Sequence, residues 1–129
     1  MTLKDIREWL KPQIEGLKAC YSGTIDNSKE CIVGLYNRSS SKDSIAIGGL
    51  NNTSSATKRI SVLVHWNKNY DTSEIKAKSI YDLFCGKKAT IGDRECFFNM
   101  LNDEPIGIGK NDLGVFEFVI DVDITYKRG

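Results

Sequence analysis

From Phe116 to Tyr126 the chain alternates with period two. Phe116, Phe118, Ile120, Val122, Ile124 and Tyr126 share one parity. Glu117, Asp121, Asp123 and Thr125 occupy the other, with Val119 its one aliphatic member. This pattern predicts a long closing strand with a buried face, Phe116, Phe118 and Ile120 in the core, and an acidic, wet face. The Gly-, Asn- and Asp-rich stretch 107–114 before it is a turn that calls for positive φ or a side-chain cap. Alternation recurs at 59–66, with Ile60, Val62, Val64 and Trp66 on one side and Leu63 and His65 on the other, His65 facing solvent. Leu3, Ile6 and Leu10, with Trp9 beside them, are spaced for a helix over 2–11, with Thr2 as N-cap. Pro12 lacks an amide to donate, so it ends or kinks that helix, and 13–18 adds an irregular turn.

The remaining segments complete the order. Two β-leaning runs, 19–25 and 30–36, are joined by Asp26-Asn27-Ser28-Lys29 and read as a hairpin. A polar stretch at 37–43 precedes a short run at 44–47 and a loop at 48–57 that should be mobile, with Leu50 as its sole apolar anchor. A second helix starts at Asp71 with Glu74 three residues on, a capping-box arrangement. Its apolar stripe is Ile75, Ala77, Ile80, Leu83 and Phe84, and Gly86 terminates it. A strand at 93–101 and a short edge piece at 105–109 follow, and the closing ribbon pairs back on this region. The order α-β-β-β-β-α-β-β, with the last two strands long, predicts one α+β domain over 1–129: a mainly antiparallel sheet with two helices packed on one face.

Composition narrows the function classes. In 129 residues, 18 Lys and Arg balance 17 Asp and Glu, so no global charge argues for nucleic acid or membrane. No apolar run approaches the roughly 20 residues needed to cross a bilayer, and the charged first ten residues lack a signal peptide's apolar core. A protein made and kept in a cytoplasm is the expectation. Local charge is uneven. Arg38, Lys42, Lys58, Arg59 and Lys68 outnumber Asp43, whereas Asp93, Glu95, Asp103, Glu104, Asp112, Glu117, Asp121 and Asp123 outnumber Arg94 and Lys110. These are two solvated faces, or the two sides of a head-to-tail contact between copies.

The order and spacing, the strand 60–64 leading into a helix that ends at 80–84, and the ending 105–118 carry a resemblance. The chain resembles the tail terminator proteins of long-tailed bacteriophages, in the group often labelled phage minor capsid protein. That family opens with a short helix and ends with an apolar-Gly-x-Asp/Asn-x-x-Gly-aromatic turn feeding a strand to the C-terminus. The polar region 37–57 and Pro12 depart from many members, so no individual contact is carried over. The resemblance implies a structural virion protein at the head-proximal end of the tail, assembled in the host bacterial cytoplasm. It would form a homo-hexameric ring that stops tail-tube polymerisation, offers a surface to head–tail connector proteins, and lets DNA pass through its lumen. No catalytic residue, cofactor or metal comes with it.

The residues agree with binding rather than catalysis. Cys20, Cys31, Cys85 and Cys96 make no C-x-x-C pair and read as reduced, half-buried strand thiols, with an incidental Cys20–Cys31 bridge conceivable only on paired strands. His65 is the one conventional base; with Asp71 and Glu74 nearby but no nucleophile motif, it reads as structural or exposed. Gly107-x-Gly109-Lys110 fails as a phosphate loop, because Asn111 follows the lysine and a strand follows the turn. The acids lack EF-hand spacing and are solubilising residues on a ribbon. Loops 37–57 and 103–113 are the candidate partner contacts. The alternatives are another head–tail joining or tail-tube protein, and a nucleic-acid-binding module on Arg38, Lys42, Lys58, Arg59 and Lys68 with Trp66 and Tyr70.

Overall fold

A computed structural model of the chain describes residues 1–38 and 55–127. The expected strand at 44–47 and most of the loop 48–57 lie outside these residues. The elements run α1 (Leu3–Leu10), a 3₁₀ turn (Lys11–Gln13), β1 (Ala19–Ser22), β2 (Ile32–Asn37), β3 (Ser55–His65), α2 (Tyr70–Phe84), β4 (Lys88–Ile91), β5 (Arg94–Met100), β6 (Ile106–Lys110) and β7 (Phe116–Lys127). The strands form one mixed sheet in the order β1-β2-β3-β7-β5-β4, with β6 paired to β7 off that path. The fold is α+β, as expected. The long strands are β3 and β7 rather than the last two, and β3 begins at Ser55 where loop was anticipated.

β7 is the seam of the sheet. Along its whole length it pairs antiparallel with β3, from Ser55 opposite Lys127 to His65 opposite Glu117. On its other side β6 pairs with the Phe116–Val119 end and β5 with the Val122–Tyr126 end. The predicted parity holds: Phe118, Ile120, Val122 and Ile124 are buried, and Phe116 half-buried. They share one core with Ile60, Val62 and Val64 of β3, Val33 and Leu35 of β2, Ile6 and Leu10 of α1, and Ala77, Ile80 and Phe84 of α2. The Trp9 ring meets Phe84 and Phe98 at centroid distances of 5.5 and 5.2 Å, so an indole from α1 joins helix to sheet. α1 lies against β1, β2 and β4, strands from both ends of the sheet, and the sheet therefore curls around it.

The first two strands correct the expected hairpin: β1 and β2 are parallel, with Ala19 opposite Ile32 and Ser22 opposite Leu35. Gly23, at φ +76°, turns the chain away from β1 and donates its amide to Leu35 O at 2.7 Å. The backbone then returns over β2 at Gly34, where a Cβ would collide with Ile25 Cγ2 and sit 3.0 Å from Thr24 O. A strand glycine marks such a close approach. Parallel neighbours usually need a longer crossover, often helical. Here the missing side chain lets a short irregular segment lie flat on the sheet.

Helix ends follow capping chemistry. Thr2 caps α1, its hydroxyl accepting from the Asp5 amide while the Asp5 carboxylate accepts from the Thr2 amide at 2.9 Å. In α2 the cap is Asn69, two residues before the expected Asp71; its Oδ1 accepts from the Thr72 amide at 3.1 Å. Ile75 is not part of the buried stripe but 68 % exposed; Ser73, Ala77, Ile80, Tyr81 and Phe84 are the buried positions. The helix leaves through a turn closed by the Lys87 amide on Phe84 O, with Gly86 at φ +69° as predicted. β4 was not anticipated. It is joined to β5 by Gly92 and Asp93, both at positive φ, a two-residue hairpin turn.

Candidate interaction surfaces

The second parity of β7 is less wet than its acids suggest. Each acid is half-buried and sits opposite a partner on β3: Glu117 across from His65, Asp121 from Ser61 and Asp123 from Arg59. Ser61 Oγ donates to Asp121 at 2.6 Å. Arg38, just past β2, pairs with Asp123 and donates its Nε to Ile60 O at 3.0 Å, while Arg59 lies 3.7 Å from the same carboxylate. Two of the five cations assigned to a basic face are thereby used inside the subunit. The nucleic-acid reading, which needed Arg38 and Arg59 free, loses them.

His65 is the plainest correction. It is fully buried, and its Nδ1 lies 2.8 Å from Glu117 Oε2, across the sheet rather than near Asp71 or Glu74. With Glu117 ionised, Nδ1 is the donor, and Nε2 is left buried without a partner among the described residues. A ring closed to solvent and held by a cross-strand carboxylate serves strand pairing, not proton transfer with a substrate.

β6 is one of the outer strands of the sheet, paired among the described strands with β7 alone and exposed at every residue. Ile106 (42 %), Ile108 (54 %) and, in the following turn, Leu113 (54 %) form an apolar strip in solvent. Asp103, Glu104 and Asp112, all exposed, flank these residues along the chain, with Lys110 as the counter-charge. The strip is held in place by its surroundings. Pro105 is buried, Tyr81 Oη donates to Asn102 O at 2.6 Å, and Leu101 N donates to Asp121 O at 3.2 Å. In the turn, Asn111 Oδ1 accepts from the Leu113 and Val115 amides, both at 3.0 Å, and Gly114 adopts φ +86°. Side-chain cap and positive φ, anticipated as alternatives, both occur. Gly109, at φ +94°, takes up a bulge against β7. Of the two candidate contact loops, 103–113 thus carries exposed aliphatic side chains on a braced turn. The other, 37–57, lies largely outside the described residues.

The opposite end of β7 bears a second patch. Phe97 is 51 % exposed, opposite Lys88 on one side and Thr125 on the other, with Lys88 Nζ 5.9 Å from its ring. Lys87 and Lys127 are exposed nearby and Glu95 shares the face. No expectation singled out this patch, yet Phe97 and Phe98 are adjacent on a strand, so one of them must face outward.

Other features offer less chemistry. All four cysteines are free; Cys20 lies on β1 and Cys96 is buried on β5, but Cys31 and Cys85 are outside strands. Burial pushes the Cys20 thiol up to about 11. Among the described residues no cluster of His, Cys, Asp or Glu has a metal-binding arrangement, and no helix is long and apolar enough to cross a membrane. A cleft of about 440 Å³ lined by Lys18, Ala19, Ser28, Lys29 and Glu30 mixes both charge signs. Compared with known proteins, residues 11–128 match a family model described as "Bacteriophage tail terminator protein". No curated protein and no solved structure matches.

Proposed function

The chain belongs to the bacteriophage tail terminator family, and on that premise we propose that it closes the head-proximal end of a tail tube as a ring of identical subunits. The family is structural, so the chain is a component of a phage tail and acts by binding rather than by catalysis. The observation that carries the reading is the family match across 11–128, which takes in every described strand of the sheet. One face of the ring is complementary to the last ring of tail-tube subunits. The other does not reproduce the tube's growing surface, so addition stops there, and it receives the head–tail connector proteins instead. Six copies surround a lumen through which DNA passes. The braced strip at β6 and the Phe97 patch suit such work, because both are fixed surfaces ready for a partner without an ordering cost.

Electron microscopy of the purified chain mixed with tail tubes tests the reading. Tubes capped at a single end, and held at constant length when tube subunits are added, support termination. Continued growth with the chain built into the wall overturns it in favour of a tube role.

A further inference from the structure

We propose that neighbouring copies of the chain join head to tail, the acidic-apolar strip of β6 on one copy receiving the basic-apolar Phe97 patch of the next. The proposal rests on the ring reading and names the surfaces that would close it. A ring of one chain type requires two different patches on each copy, since a patch that binds itself stops at a dimer. The two patches lie towards opposite ends of β7: Ile106 sits opposite Val119 and Phe97 opposite Thr125. Six residues of strand separate those positions, about 20 Å.

Charge selects the pairing. The strip of Ile106, Ile108 and Leu113 carries Asp103, Glu104 and Asp112 against Lys110, and Phe97 carries Lys87, Lys88 and Lys127 against Glu95. Strip against strip or patch against patch brings like charges together, whereas strip against patch brings opposite ones. Phe97 is the anchor. A rigid aromatic with half its surface in water gains most by burial among aliphatic side chains, and lysines at its margin set the register. Arg38 and Arg59 do not compete for this role, because both are already drawn to Asp123 within the subunit. An open strand edge with exposed aliphatics is a liability unless something covers it, and a second copy brings the complementary charge.

Charge-swap variants test this. All the residues changed are exposed, and a wild-type-like thermal melt confirms that each variant folds. Glu104→Lys with Asp112→Lys reverses the strip, and Lys87→Glu with Lys88→Glu reverses the patch. Ring formation is followed by sedimentation and negative-stain microscopy, alone and on tail tubes as a nucleating surface. Each reversal is expected to raise the concentration needed for half assembly at least tenfold. The four-fold variant carrying both reversals should return to within about threefold of wild type, and Phe97→Ser should not assemble. Equal assembly by wild type and both reversed variants would overturn the patch assignment while leaving the ring intact. A four-fold variant no better than either reversal would also overturn it. If wild type forms no ring in solution or on tubes, the ring reading itself falls, and this proposal with it.

Discussion

Gly34→Ala should destabilise the subunit even though it adds one methyl group to a strand. Ordinarily the change gains about 0.5–1 kcal/mol, because alanine loses less backbone freedom on folding. Here the new Cβ would collide with Ile25 Cγ2, sit 3.0 Å from the Thr24 carbonyl oxygen and 3.1 Å from Tyr36 Cε2. Carbon–oxygen contacts relax at about 3.3–3.6 Å, so the return segment must lift from the sheet by several tenths of an ångström and Ile25 must shift further. Overpacking of this kind costs about 1–3 kcal/mol. For a chain of this length that corresponds to a fall in Tm of roughly 4–12 °C. Urea denaturation of wild type, Gly34→Ala, Ile25→Ala and the double variant measures the coupling directly. Removing Cγ2 should relieve most of the collision, so the double variant should be more stable than the sum of the singles predicts, by about 1 kcal/mol. Additive effects, or a Gly34→Ala protein as stable as wild type, would refute the passage of the return segment over this glycine.

Other outcomes follow from the same structure. Phe118→Asp should abolish soluble folded protein, since an unpaired carboxylate in the core costs several kcal/mol, about a domain's whole margin; a wild-type-like melt would disprove the face assignment. Asp123→Asn removes the shared partner of two half-buried guanidinium groups and should cost about 1 kcal/mol after allowance for solvent screening; its loss should shrink at high salt, as denaturation at two ionic strengths would show. The Thr2 amide and hydroxyl hold the Asp5 carboxyl below its ordinary range. A depressed folded pKa means the capping contribution is complete above the unfolded value near 4 and fades as pH falls through the lower folded one. Thr2→Pro, which removes both the amide and the hydroxyl, should move the Asp5 titration upward in an NMR pH series, and Thr2→Ala, which keeps the amide, should move it less; an unmoved titration in Thr2→Pro would remove the capping box as its cause. Burial of the Cys20 thiol leaves about a hundredfold less thiolate at pH 8 than an ordinary cysteine has. Iodoacetamide should therefore modify exposed Cys85 well before Cys20, with mass spectrometry giving the order.

How much of this was legible depended on what each feature rests on. β7 and the inner face of β3 were readable, because a half-buried strand writes its burial into alternate residues. The Thr2 cap was readable because capping is local. Strand direction was not: alternation is the same for parallel and antiparallel pairing, and only Gly34, a small residue amid Val33 and Leu35, hinted at the returning backbone. The cap of α2 was misplaced because Asn69 and Asp71 are both good capping residues. Ser73, buried and bonded to Asn67 Oδ1 at 2.8 Å, ties the helix start to the preceding loop, and that contact is tertiary. His65 and the acids of β7 were misread as solvated for a related reason. Their partners stand opposite in the register, some fifty to eighty residues away in the chain. The strip at β6 was legible as a turn with candidate contacts. The Phe97 patch was not, since parity tells which residues share a face but not which face is bare.

The position of β7 in the chain has a consequence for synthesis. It is last in sequence among the strands and lies between β3 on one side and β5 and β6 on the other. As the polypeptide emerges from the ribosome, β3 and β5 wait with no strand between them, and the core lacks Phe118, Ile120, Val122 and Ile124. The sheet therefore closes only after translation has passed residue 127, and a chain interrupted earlier has no seam to close on. Such a fragment lacks the strand on which β3, β5 and β6 all pair. The completeness of each subunit is thus set at the moment of folding, before it meets any partner.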